Sequence, residues 1–202
     1  IGRNARSPLE WLREVTCVDR SWRHARCGEL KADGYAHHPY DFDHPPSYKY
    51  PGGDNVTIST LGRLTGALDK LAAAKALRTP AGKPLDVYLT EYGYFASGKR
   101  GLPDATRARY LPQAFKIAQG NRRVRQMLQY LLVQPPGFYR FFDTSILSAR
   151  GGETRTFKAL ASWAKDAKRK GRIHTFAPPP EPSTAPCSIA PLGIPCAPSK
   201  GH

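Results

Sequence analysis

Residues 85–95 read LDVYLTEYGYF. Leu85, Val87, Tyr88, Leu89 and Thr90 have the apolar and β-branched bias of a strand. That run meets a single carboxylate, Glu91, and then Tyr92, Gly93, Tyr94 and Phe95. A lone charge at the end of a buried strand is expensive unless it is paired or used. The role of Glu91 therefore decides how the chain is read.

Working outward, strands and helices alternate. Residues 8–17 place Leu9, Trp11, Leu12 and Val15 at near-helical spacing behind Pro8. Residues 31–38 (KADGYAHH) read as a short strand stopped by Pro39, and 41–55 form a loop rich in Pro, Gly and Asp. Leu61, Leu64, Leu68 and Leu71 give a helix over about 57–78, ended by a turn at Thr79–Pro84. After the strand at 85–90 comes a Gly/Pro loop at 96–103. Asp104 then serves as N-cap of a helix over about 105–119, which Pro112 kinks and Gly120–Asn121 end. Residues 123–133 (RVRQMLQYLLV) suit a strand or a buried helix segment by periodicity, and context favours a strand. A last helix covers about 153–170, with Phe157, Leu160 and Trp163 on one face. Alternation of this kind points to parallel βα units. In such folds, ligand sites lie at the carboxyl ends of strands.

Three successive strand ends carry the unusual side chains: HHPYDFDHPPSYKY, EYGYFASGKRG and QPPGFYRFFDTS. With DGYAHHPY, LTEYGY and FDTSIL followed by TFKALASW, residues 30–165 resemble the last three βα units of the clan-A retaining glycoside hydrolases. The fold this implies is α/β, the C-terminal portion of a (β/α)8 TIM barrel. It would span a domain at 1–174, followed by a Pro-rich extended tail at 175–202. By the same resemblance Glu91 is the nucleophile, which must be a rigidly aimed carboxylate. Tyr40 would hydrogen-bond it, and His38 would position substrate or carboxylate. Tyr92 and Tyr94 would offer flat faces to sugar rings. Gln129 and Phe142 complete the expected substrate contacts, with loop packing an equal reading for Phe142. His37 should point to the other face of its strand and be structural, and Tyr35 and Tyr88 are expected in the core. Relatives in the clan often carry a sugar-stacking Trp near Gln129–Tyr130, and this chain has none there.

Much else is negative. No apolar run reaches the roughly 18 residues of a membrane span. No Gly-rich phosphate loop and no cofactor motif occurs. His37, His38 and His44 with Asp41 and Asp43 would suit a cation, but Pro39, Pro45 and Pro46 favour a loop built for shape, so no metal is expected. Lys and Arg number 31 against 16 Asp and Glu, a formal charge of +15. That balance attracts acidic polysaccharide, anionic lipid and nucleic acid alike. The charges are scattered and no nucleic-acid motif accompanies them, so no nucleic-acid partner is expected. Four cysteines pair most simply as Cys17–Cys27 and Cys187–Cys196, which implies an oxidising, extracellular or cell-surface setting.

A TIM barrel takes roughly 250 residues, and retaining hydrolysis needs a second carboxylate about 5–5.5 Å from the nucleophile. In the clan that group comes from an Asn-Glu pair, and none occurs among the 202 residues. The expectation is therefore a glycosidase acting on a polysaccharide or oligosaccharide, present here without its N-terminal barrel half and inactive alone. Asp41 or Asp43 acting as the acid, or a dimer completing the barrel, are the two ways around this. The alternative is a non-catalytic carbohydrate-binding or cell-surface protein on the same fold.

Overall fold

The computed structural model describes residues 6–25 and 27–173. The expected tail at 175–202 and the Cys187–Cys196 pairing lie outside them. In chain order the elements are α1 (Pro8–Val15), β1 (Leu30–Lys31), β2 (Gly34–His37), α2 (Leu61–Ala73), β3 (Leu77–Arg78), β4 (Asp86–Tyr92), α3 (Asp104–Gln119), β5 (Val124–Gln129) and α4 (Arg155–Arg169). Short 3-10 turns precede α2 at Ile58–Thr60 and follow β5 at Gly137–Phe142.

β2, β4 and β5 form a parallel sheet in that spatial order. The ambiguous segment at 123–133 is thus a strand, paired through Val87 to Val124 and Leu89 to Met127. β1 and β3 form a second, two-residue parallel ladder. That ladder corrects the expected helix over 57–78. Lys75 takes a left-handed φ of 55°, α2 stops at Ala73, and Leu77–Arg78 leave to pair with Leu30–Lys31.

One face of the main sheet is packed. Val87 and Leu89 are fully buried in one core with Leu61, Leu64, Leu68 and Leu71 of α2, which are 0–3% exposed. His37 shares this face and is held in the core by a hydrogen bond from its ring to the Val56 carbonyl. Burial, above all, lowers its pKa to about 4, against the opposing pull of that bond. The other face, carrying Ala36, Tyr88 and Gln126 in register, has no layer against it among the described residues, and Leu128 beside it is 43% exposed.

Asp104 does not cap its own helix. Pro103 is the N-cap, and the Asp104 carboxylate accepts from the backbone N–H groups of Arg155 and Thr156. It therefore locks the start of α3 to the start of α4. Pro112 lies within α3, which continues through it. The Cys17–Cys27 disulfide is formed. Among the described residues, no helix is long and apolar enough to cross a membrane.

Candidate active site

The carboxyl ends of the three main strands meet at one cleft. β2 delivers His38 and Tyr40, β4 delivers Thr90 and Glu91, and β5 leads into Tyr130. Strand alternation alone would put Glu91 on the packed face with Val87 and Leu89. It does not end there, because the ladder slips after Leu89, where β4 spends three residues against two in β5. Leu89 pairs with Met127, but the next pair is Tyr92 with Gln129. This bulge turns Glu91 to the open face and sends Tyr92 inward.

The Tyr40 hydroxyl donates to Glu91 Oε2 at 3.2 Å, and His38 Nδ1 lies 3.5 Å from the same oxygen. The other ring nitrogen of His38 meets Thr90 Oγ1 at 3.0 Å. Both partners thus converge on one carboxylate oxygen, while the Glu91 side chain stays 31% exposed. Burial and then the neighbouring Glu91 charge raise the Tyr40 pKa, so its hydroxyl stays protonated and remains a donor.

Beside Glu91 opens a cleft of about 470 Å³, lined by Tyr130, Leu131, Pro135, Phe141 and Phe142. Phe142 is both a wall and a packing residue, edge-on to Tyr40, Phe42 and Phe95 within 5.7 Å. Phe141 is 80% exposed at the rim. Among the described residues no cluster of His, Cys, Asp and Glu is arranged to hold a metal.

Three expected contacts lie elsewhere. Tyr92 is fully buried and Tyr94 is 2% exposed. Their hydroxyls form a chain, Tyr92 to Tyr94 and Tyr94 to the His44 carbonyl, each 3.0 Å. Neither ring offers a face to a ligand, and the bulge is the reason. Gln129 spends its amide group on the carbonyls of Tyr130, Leu131 and Thr144, fastening the chain after β5 rather than facing the cleft. Tyr35 and Tyr88 are half-buried rather than deep in the core.

Gly93 explains its own place in LTEYGYF. A Cβ there would run into the Tyr130 carbonyl and come within 2.9 Å of Thr144 Cβ. Only glycine lets β4 leave so close to the segment after β5. Nearby, the fully buried Asp143 accepts from Ser145, Ser97 and Gln134. Burial would raise its pKa, but these bonds outweigh it and the net shift is downward.

The loop carboxylates are also engaged. Asp41 is buried against His44 at 2.9 Å, and Asp43 pairs with Arg100 at 2.6 Å. Sequence reading missed Thr90, Leu131 and Pro135 as neighbours of Glu91 and its cleft, while Phe141 reads, like Phe142, as lining the site or packing the loop. Of these only Pro135 lies in the strand-end loop QPPGFYRFFDTS that the sequence singled out.

No protein-family model matches the chain, and no curated protein matches it. Among solved structures, it is similar to a family 39 glycoside hydrolase from the gut symbiont Bacteroides cellulosilyticus WH2, with a TM-score of 0.53 and 21% identity. The match covers 65% of this chain and 26% of that enzyme. Native xylanase 10B from Thermotoga maritima aligns over 70% of this chain and 38% of its own, at 11% identity and a TM-score of 0.38, too low to support an inference. The chain spans about a quarter of the family 39 enzyme. The likeness concerns the fold alone: mixed α/β with parallel sheets, matching part of the family 39 enzyme's structure.

Proposed function

We propose that this chain is the C-terminal portion of a retaining O-glycoside hydrolase, with Glu91 as the nucleophile. The observation that carries the reading is the pairing of Glu91 with Tyr40 and His38 at a strand end beside an open aromatic cleft. Tyr40 fixes one carboxylate oxygen, so the carboxylate is oriented before substrate arrives. In the first step a carboxylate oxygen of Glu91 bonds to the anomeric carbon as the bond to the leaving oxygen breaks. That leaving oxygen takes its proton from a second carboxyl about 5–5.5 Å away. Water, deprotonated by the same second group, then releases the sugar.

Asp41, Asp43 and Asp143 are each committed to other partners. We assign the acid/base to the remaining βα units of the barrel, carried by a longer gene product. Those units would also cover the open sheet face. The substrate class is a polysaccharide or oligosaccharide, met outside the cytoplasm, as the disulfide favours.

The test compares the complete gene product with its Glu91→Gln variant on a panel of aryl glycosides. The expected result is hydrolysis by the parent and a loss of at least about a thousandfold in the variant, with the fold unchanged. Near-equal activity removes Glu91 from the chemistry. A parent that binds polysaccharide but cleaves none of the panel makes the protein a carbohydrate-binding one.

A further inference from the structure

A second concave site lies at the other end of the fold. The loop closed by the Cys17–Cys27 disulfide and the last turn of α2 border a shallow, open groove of about 850 Å³. Arg20, Trp22, Arg23, His24 and Lys70 line it. Asp69, next to Lys70, pairs with Arg123, which also reaches Asp86 at the start of β4. The groove is therefore at the amino ends of the strands. Glu91 lies five residues further along β4, roughly 16 Å from Asp86 by strand rise.

The chemistry of the groove is one-sided. Trp22 packs against the core with a left-handed φ of 63°, a conformation bulky residues rarely adopt. The disulfide-closed loop thus holds this indole over the end of α2. Lys70 Nζ lies 5.4 Å and the Arg13 guanidinium carbon 5.5 Å from its ring centroid, so the ring gathers two cations. The nearby acids are taken: Asp19 by Arg23 at 2.7 Å and Asp54 by Arg13 at 2.6 Å. Among the described residues Arg20 and Lys70 form no close ion pair, Arg20 contributing only longer-range attraction to Asp54, which Arg13 already holds, and His24 Nε2 is buried without a hydrogen-bond partner. The Arg20 and Lys70 cations at the groove suit anionic groups, and the +15 net charge favours polyanions as partners.

We propose that this groove binds the carboxylate or sulfate groups of an anionic glycan, as a site separate from the Glu91 cleft and independent of any chemistry there. A glycan is preferred over nucleic acid because the loop that builds the groove is closed by a disulfide. Such bonds persist in extracytoplasmic settings and are rare in the cytosol and nucleus, where nucleic acid is concentrated.

The test uses the whole chain with four probes: polygalacturonate, heparin, neutral xylan and an oligodeoxythymidine. Binding is followed by affinity electrophoresis and by tryptophan fluorescence at several salt concentrations. The expected result is salt-sensitive binding to polygalacturonate or heparin, and the tighter of the two identifies carboxylate or sulfate as the group read. The Arg20→Ser/Lys70→Ser variant should lose at least about tenfold in affinity. Lys158→Ser/Lys165→Ser, which removes the same charge from the exposed face of α4, should lose less than about twofold. Equal losses in the two variants would reduce the effect to diffuse charge and overturn the site. Tighter binding to the oligonucleotide, equal binding to xylan, or no binding to either acidic glycan would also overturn it.

Discussion

The two faces of the β2–β4–β5 sheet come from the same short strands and have opposite fates. His37 and His38 are neighbours, yet His37 is locked in the core against Val56 while His38 stands in the open cleft beside Glu91. Val87 and Leu89 are sealed in the core with the leucines of α2, while Tyr88, Gln126 and Leu128 line a surface that no described element covers. The packed face holds the fold together. The open face carries the groups with chemical potential and leaves apolar area in water. The slip in the ladder after Leu89 moves Glu91 from the first face to the second.

If that division is correct, substitutions on the packed face should dominate stability. Leu89→Ala should cost about 3 kcal/mol in urea unfolding, because a fully buried side chain leaves a cavity between sheet and helices. A loss below about 1 kcal/mol would mean the packed face is not the core.

The pH dependence sharpens the same contrast. His37 has a folded pKa of about 4, below its ordinary value of 6.5. Between those values the unfolded chain takes up a proton that the folded chain refuses, so stability falls as pH drops from 6.5 to 4. The total is at most about 3 kcal/mol. His37→Gln should flatten stability across this window. The buried carboxylate Asp143 has a lowered pKa and acts at still lower pH.

Gly93→Ala probes the junction between the faces. Its added methyl group meets the Tyr130 carbonyl and should cost about 1–3 kcal/mol by thermal unfolding. The smallest effect is expected on the open face, where Leu128→Ser should change the stability of this chain by less than about 0.5 kcal/mol. A large loss there would show that something already covers that face.

Much of this was legible in the sequence. Leucine spacing in α2 and the β-branched run of β4 are local signals, and both elements form. The parallel order followed from their alternation with helices. What sequence could not supply was non-local. The end of α2 was read late because Leu77–Arg78 are claimed by a ladder with Leu30–Lys31, a partner 47 positions away in the chain. Asp104 looks like an ordinary N-cap, and only the packing of α3 on α4 reveals its partners. The places of Tyr92 and Tyr94 were misread for a related reason. Period-2 alternation holds only until the bulge, and nothing in TEYGY announces an extra residue. Glu91, Tyr40 and His38 could be grouped because the resemblance supplied the long-range pairing that periodicity lacks.

The central claim is that Glu91 forms a bond to the sugar, and chemical rescue tests it most directly. In the complete gene product, Glu91→Gly should be nearly inactive on an activated aryl glycoside. Added azide should restore turnover by occupying the space of the lost carboxylate, giving a glycosyl azide of anomeric configuration opposite to the substrate's. A Glu91→Gly variant within about tenfold of its parent without azide, or an azide product of retained configuration, would contradict the account.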